Sequence, residues 1–325
     1  MIPDLLLISA IAWGAFTFGA VYPWAYWPLA VTAAGVGIAG SAIGPRGHRS
    51  APGPGLTALT IGFSAFLLAG ILQLVPAPLP FLASVSPEAA RVVPQLDLAV
   101  AAGSVSRHPF SIAPAQTLLG IVLFAANALL VLGCARLFSI HGARRVAGAI
   151  AAVGVALALA GIIQKPLFAG KIYGFWTPLQ DGGSPFGPFV NKNHFAGWML
   201  MALPLTFGLL CGGIARAMRG VKPNWRDRLV WFSSREASRL LLFAAGAGVM
   251  ALSLVMTMSR SGITALALAI AIIGVFVMRR QRTTRQAVAI GYLLLLVIVV
   301  VGWAGADAIA SAPAQPTTTT TSTSR

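Results

Sequence analysis

Long apolar runs, separated by short polar or proline-rich stretches, are the main pattern of this chain. Nine runs approach the roughly 20 mostly apolar residues that a helix needs to cross the hydrocarbon core. They are residues 5–21, 26–44, 56–80, 115–138, 146–164, 194–214, 240–258, 262–278 and 286–305. Because a segment in lipid must satisfy its own backbone hydrogen bonds, we predict a helix for each run. The predicted fold class is therefore all-α, a polytopic transmembrane helix bundle of about nine spans.

The composition excludes an ordinary soluble enzyme. Hydrophobic residues make up 57% of the chain and charged residues 9%, against about 25% charged residues in soluble domains. The nine runs contain no Asp or Glu, which disfavours the intramembrane carboxylate relays of proton-coupled carriers and cation channels. Metal-binding HExxH, Gly-rich phosphate loops and paired catalytic acids are also missing from the sequence. We therefore expect neither a metal nor a cofactor.

The basic residues indicate the orientation of the spans. Lys and Arg total 23 against seven acidic residues, for a net charge of +16. Sixteen of the 23 fall in the short loops after the second, fourth, sixth and eighth runs or, for Arg136, in the last turn of the fourth run. An excess of Lys and Arg marks cytoplasmic loops, so we predict a cytoplasmic amino terminus. Two long connections, about 81–114 and 165–193, then lie on the outer face.

The same distribution disfavours a nucleic-acid partner. A surface that neutralises phosphates gathers its cations on one solvated face, whereas these cations are spread over four loops that flank spans. The partner that this pattern predicts is the lipid bilayer, with its anionic head groups beside the inner loops.

The most specific string of the chain is Gly187–Gly197, at the entry to the sixth run. Its residues Asn191, Lys192, Asn193 and His194 place three hydrogen-bonding side chains and a cation beside the unsatisfied amides of a helix start. Such a position favours an anion. The alternative is purely structural: Asn193 caps the helix and His194 reaches the membrane interface. Both interpretations stay open on the sequence alone.

A second polar string, Thr257–Gly262, lies between the seventh and eighth runs. By the charge count this turn is on the outer side, as is Lys192. An arginine near membrane depth usually marks a functional site or a partnered charge, and Arg260 has no acidic neighbour along the chain. Its planar guanidinium could receive an external carboxylate or phosphate. A solvated Arg in a wet turn is the alternative.

Together these strings resemble the O-antigen ligase and O-antigen polymerase family of bacterial inner-membrane proteins. The similar features are Gly187–Gly197 with its FxNxNxxA pattern, the following Leu203-Pro204-Leu205, the SRSG turn Ser259–Gly262 and the upstream Pro109–Thr117. The resemblance extends to about residue 305. Residues 306–325 form a low-complexity Thr/Ser tail that we expect to be disordered.

The resemblance implies a metal-independent glycosyltransferase whose two longer loops are periplasmic. The donor would be an undecaprenyl-diphosphate-linked glycan, and the acceptor another glycan or a lipid A core sugar. By position, Arg260 would hold the donor diphosphate beside Ser259. The other residues of this expected substrate site are Asn191, Lys192, Asn193 and His194.

One departure from the family concerns the catalytic base. Members of the family continue into a large periplasmic loop whose His assists the acceptor hydroxyl, whereas this chain runs from Trp303 into its low-complexity tail. We therefore expect a truncated chain with weak or no transfer, unless His194 or His108 supplies the base.

Two other functions fit the same residues. A transporter or flippase-like protein would bind the same lipid-linked anion without chemistry. A structural membrane subunit would use both polar strings only to cap helices.

Overall fold

The computed structural model describes residues 2–42, 53–179, 184–217 and 234–280, and most of these residues are helical. The helices, in chain order, are α1 Ile2–Phe16, α2 Pro23–Ala42, α3 Pro54–Gln73, α4 Leu79–Val85, α5 Pro87–Leu96, α6 Leu98–Ala101, α7 Pro114–His141, α8 Arg144–Leu167, α9 Lys192–Ala217, α10 Arg235–Met256 and α11 Arg260–Arg280. Two short strands, β1 Pro76–Pro78 and β2 Arg107–Pro109, pair in antiparallel fashion.

Each of the first eight predicted runs coincides with one helix, shifted by a few residues. The largest shift is in the third run, where α3 ends at Gln73 because Pro76 and Pro78 cannot donate the next helical hydrogen bonds. The ninth run, 286–305, and the tail, 306–325, lie outside the described residues. The count of nine spans therefore remains a prediction.

Five helices in the described ranges, α3, α7, α8, α9 and α10, are long and apolar enough to cross a membrane. In the most apolar 18 residues of α3, 0% are buried inside the protein, and in those of α8 only 33% are. Apolar side chains that the protein leaves uncovered need another apolar environment. These helices indicate a multi-pass membrane protein in which lipid covers the outer faces.

The first long connection, expected as a loop, is folded. It contains α4, α5 and α6 beside the β1–β2 pair, in which Pro76 faces Pro109. Leu82, Val93 and Val100 form a small core between these helices. Prolines are tolerated in this sheet because each of its two strands is an edge strand.

The described residues form two compact units, and the first contains residues 1–14 and 20–146. Its tightest contact is the crossing of α2 and α7, where Gly37 and Gly133 lie backbone against backbone. A Cβ on Gly133 would overlap the Gly37 carbonyl. Arg136 of α7 also donates to the Ser41 carbonyl at 3.1 Å. Small residues let membrane helices approach this closely, where van der Waals packing replaces the hydrophobic effect.

The described residues of the second unit are 15–19, 147–179, 184–217 and 234–280, and its helices are α9, α10, α11 and most of α8. Its core consists of fully buried side chains such as Leu157, Phe195, Met199, Met250 and Leu254. Near the end of α8, a Cβ on Gly161 would overlap the Phe186 ring. Only a residue without a side chain allows the 186–189 turn to lie against α8.

Replacement of Gly133 by Ala should destabilise the first unit. The added methyl has no free space at the α2–α7 crossing, and overpacking of this kind costs about 1–3 kcal/mol. The melting temperature of the purified protein in detergent, followed by intrinsic tryptophan fluorescence, measures the effect. Gly120→Ala on the same helix is the matched control, because nothing lies within 4 Å of a Cβ at that position. Equal melting temperatures for the two variants would contradict the close crossing.

Candidate functional site

The two polar strings expected to be neighbours are in direct contact. The Ser259 hydroxyl donates a hydrogen bond of 2.8 Å to the Asn193 side-chain oxygen, across 66 residues of sequence. Asn193 lies in the first turn of α9, and Ser259 immediately precedes α11. The amino-terminal ends of two long helices therefore meet at this point.

Ser259 is the central residue of the contact and is 1% exposed. Its hydroxyl accepts from the Gly262 backbone amide at 3.2 Å, which caps α11. Its backbone amide donates to the Thr257 hydroxyl at 3.1 Å. The Ser261 hydroxyl lies 3.3 Å from the Ser259 hydroxyl. A single buried hydroxyl thus joins one helix start to another.

The start of α9 is capped by Asn191. Its side-chain oxygen accepts from the Asn193 amide at 2.8 Å, and its carbonyl accepts from the amides of His194 and Phe195. The sequence left open whether Asn193 caps the helix. The structure gives that role to Asn191, so the Asn193 side chain is available to bond Ser259.

Gly262 sets the distance between α9 and α11. A Cβ at this position would lie 2.7 Å from the Ala196 Cβ, well inside van der Waals contact. A larger residue at 262 would separate the helices and stretch the bond between Asn193 and Ser259. This is the physical reason for the final glycine of the SRSG turn.

Two cations begin these helices in electrostatically unfavourable positions. Lys192 is the first residue of α9, and the exposed Arg260 is the first residue of α11. A helix start carries partial positive charge, so a cation there costs stability instead of adding to it. Within the described ranges, neither side chain has an acidic partner or a hydrogen bond. An anion at these helix starts would relieve the repulsion.

The two candidate histidines differ in their surroundings. The His194 side chain is exposed in the first turn of α9. His108 belongs to the first unit, where its imidazole is 6% exposed. Its Nδ1 lies 2.7 Å from the Pro109 carbonyl oxygen, and its Nε2 lies 3.7 Å from the Asp97 carboxylate. His194 is thus the histidine located at the joined helix starts.

A cavity of about 240 Å³ lies in the same unit, lined by residues from the end of α8, the 184–187 segment, the start of α9 and the turn after α10. The Lys165 ammonium donates to the Met256 carbonyl at 2.6 Å. The Gln164 side chain donates to the Gly187 carbonyl at 2.8 Å and accepts from the Tyr173 amide at 3.0 Å. Lys192 also lines the cavity.

Three polar residues of the cavity were not predicted from the sequence: Gln164, Lys165 and Ser184. Gln164 and Lys165 lie at the polar end of the fifth run and Ser184 lies within a long connection, and neither kind of position distinguishes a cavity residue. A weak signal existed in the charge count, since Lys165 is a cation on the outer side. Among the described residues, no group of three His, Cys, Asp or Glu side chains could hold a metal ion.

Tyr173 fixes the loop that follows α8. Its backbone has a φ of 55°, which is unusual for a residue with a Cβ, and its hydroxyl donates to the Phe16 carbonyl at 2.8 Å. The ring packs on Phe18, with 5.8 Å between the ring centres. Partial burial raises the pKa of the Tyr173 phenol to about 12, because the charged phenolate loses hydration.

A double-mutant cycle on Asn193→Ala and Ser259→Ala should reveal the contact between the helix starts. We expect a coupling free energy of about 0.5–1.5 kcal/mol, the usual net value of one hydrogen bond. Denaturant unfolding in detergent measures it. Asn193→Ala combined with Ser238→Ala is the control cycle, since the exposed Ser238 hydroxyl bonds only within its own helix. Coupling of similar size in both cycles would argue against the Ser259–Asn193 bond.

An alkaline titration should distinguish Tyr173 from ordinary tyrosines. The folded pKa exceeds the unfolded value of about 10, so the stability that the neutral phenol contributes is present below pH 10 and is lost as pH rises towards 12. Phenolate absorbance of the native protein minus that of Tyr173→Phe should show a midpoint near pH 12. A midpoint near pH 10 for this one residue would show that its ring is fully hydrated.

Comparison with known proteins gives no match: no protein-family model, no curated protein and no solved structure matches this chain. The likeness to the O-antigen ligase and polymerase family thus depends on the residues of the two polar strings.

Proposed function

We propose that this protein is an O-antigen ligase- or polymerase-like protein of the bacterial inner membrane. It binds an undecaprenyl-diphosphate-linked glycan at the periplasmic face and takes part in transfer of that glycan to an acceptor glycan or a lipid A core. Its amino terminus is cytoplasmic, so the ends of the spans that carry Asn193 and Ser259 face the periplasm.

The observation that supports this function best is the 2.8 Å bond between Ser259 and Asn193. It joins the two strings on which the family resemblance depends, although 66 residues separate them. The same contact brings the starts of α9 and α11 together, each headed by a cation. The repulsion between each cation and its helix start lowers the stability of the fold, and a bound anion would offset that loss.

Glycosyl transfer explains why such a site would be useful. The acceptor oxygen forms a bond to the anomeric carbon, and the bond from that carbon to the lipid diphosphate breaks. The bonding electrons leave with the diphosphate, which gains negative charge in the transition state. Arg260, on a helix start whose position is fixed before the reaction, would stabilise that charge more strongly than it stabilises the ground state.

The proton of the acceptor hydroxyl must go to a base. In the described part of the chain, His194 is the histidine that lies at the joined helix starts, and its side chain is exposed. An imidazole titrates close to neutral pH and suits this role. The polyprenyl chain of the donor is apolar and would lie in lipid against the uncovered faces of the spans.

Loss of the Arg260 guanidinium should weaken binding of the lipid diphosphate. A hydrogen bond to a charged group is worth about 1.5–3 kcal/mol, so Arg260→Ala should raise the Kd about 10-fold to 150-fold. Binding of fluorescent undecaprenyl diphosphate to the protein in lipid nanodiscs measures it. Arg239→Ala is the matched control, because Arg239 is exposed in the first turns of α10, whereas the site lies beyond that helix's final residue.

The same variant separates transfer from transport. Bacteria that depend on this protein should lose long surface polysaccharide when they carry Arg260→Ala, while flipping of the lipid-linked glycan continues. Loss of flipping with unchanged transfer would favour the transporter instead. If binding, transfer and flipping are all unchanged in Arg260→Ala, helix capping is the role that remains for both polar strings. That result would refute the proposed function.

A further inference from the structure

The cavity between α8, α9 and the turn after α10 is large enough to hold a small ligand. Its volume of about 240 Å³ equals the space of about eight water molecules. The walls are made largely of Phe168, Pro185, Phe186, Met256 and Met258. Ligand cavities of this kind combine mostly apolar walls with a few placed polar groups.

Most of the uncharged polar groups in the cavity already have partners. The Gln164 amide is bonded through both its nitrogen and its oxygen. The Thr257 hydroxyl donates to the Leu254 carbonyl at 2.6 Å and accepts from the Ser259 amide at 3.1 Å. A ligand would therefore interact chiefly with the ammonium groups of Lys165 and Lys192.

The two lysines have different roles. Lys165 donates to the Met256 carbonyl at 2.6 Å, and a cation at the end of α10 stabilises that helix. Lys192 lies at the start of α9, where the helix repels it. Its ammonium has no partner in the described ranges and keeps three donors for a ligand.

The balance of donors and charges selects the type of ligand. An ammonium group donates hydrogen bonds and accepts none. Among the described residues that line the cavity there is no Asp or Glu, whereas two of them, Lys165 and Lys192, carry a positive charge. A neutral sugar, whose hydroxyls both donate and accept, would gain little here. A ligand with a carboxylate would pair with Lys192 and place its ring against the apolar walls.

From these observations, and resting on the proposed function, we propose that this cavity binds an acidic sugar of the lipid-linked glycan, with the sugar carboxylate against Lys192. The diphosphate of the carrier lipid is a poorer occupant of the same cavity, because the apolar walls offer it few donors. The glycan that this protein recognises therefore contains a uronic acid or a similar carboxylated residue.

Simple sugars test the proposal on the full-length protein in lipid nanodiscs. We expect D-glucuronate to bind at least about tenfold more tightly than D-glucose, by ligand-observed NMR titration. Lys192→Gln should abolish that preference, and Lys192→Arg should largely retain it. The matched control is Lys171→Gln, an exposed lysine of the same connection that does not line the cavity. Size-exclusion profiles and melting temperatures establish that each variant is folded.

Three results would overturn the acidic-sugar site: equal affinity for both sugars, a preference that survives Lys192→Gln, or an equal loss in Lys171→Gln. Competition with inorganic pyrophosphate is a further check. If pyrophosphate displaces glucuronate at concentrations below the Kd of glucuronate, the cavity is a diphosphate site and the acidic-sugar site is overturned. The Arg260→Ala binding experiment is independent. If undecaprenyl diphosphate fails to bind while the glucuronate preference persists, the proposed function fails and the acidic-sugar site stands.

Discussion

A helix in lipid satisfies its own backbone except at its ends, and the organisation of this protein follows from that constraint. The first amides of each span need acceptors that the helix itself cannot provide. In α9 the acceptor is Asn191, and in α11 it is Ser259. Because the Ser259 hydroxyl can accept from its own helix and donate to Asn193 at once, the cap of one span also holds the other.

Close packing without large side chains makes that contact possible. Gly262 faces Ala196, and Gly187, with a φ of 54°, lies against Gly161. Each of these positions would have to move if it carried a bulkier residue. The turn before α9, the end of α8 and the start of α11 are therefore held together by small residues, in the way that membrane helices generally associate.

Electrostatics at this joint oppose stability, and an anion at the two helix starts would relieve the repulsion. Lys192 and Arg260 both face the positive end of a helix, and within the described ranges neither has a counter-ion. A chain selected for stability alone would carry Asp or Glu at these positions. Cations on helix starts, next to fixed amide dipoles, form a polar environment of the kind that the proposed stabilisation of charge during the reaction requires.

The sequence alone determined the long helical elements and the identity of the polar strings, because apolar run length and proline position are local properties. It indicated where eight apolar helices lie, and it singled out Asn193 and Ser259. Tertiary structure decided that Asn191 caps α9 and that Gln164 and Lys165 share a cavity with Lys192. It also folded the 81–114 connection around Leu82 and Val93. These features depend on contacts between residues that are far apart in the sequence. The distances at which the helices pack decide those contacts, and the local sequence pattern does not encode them.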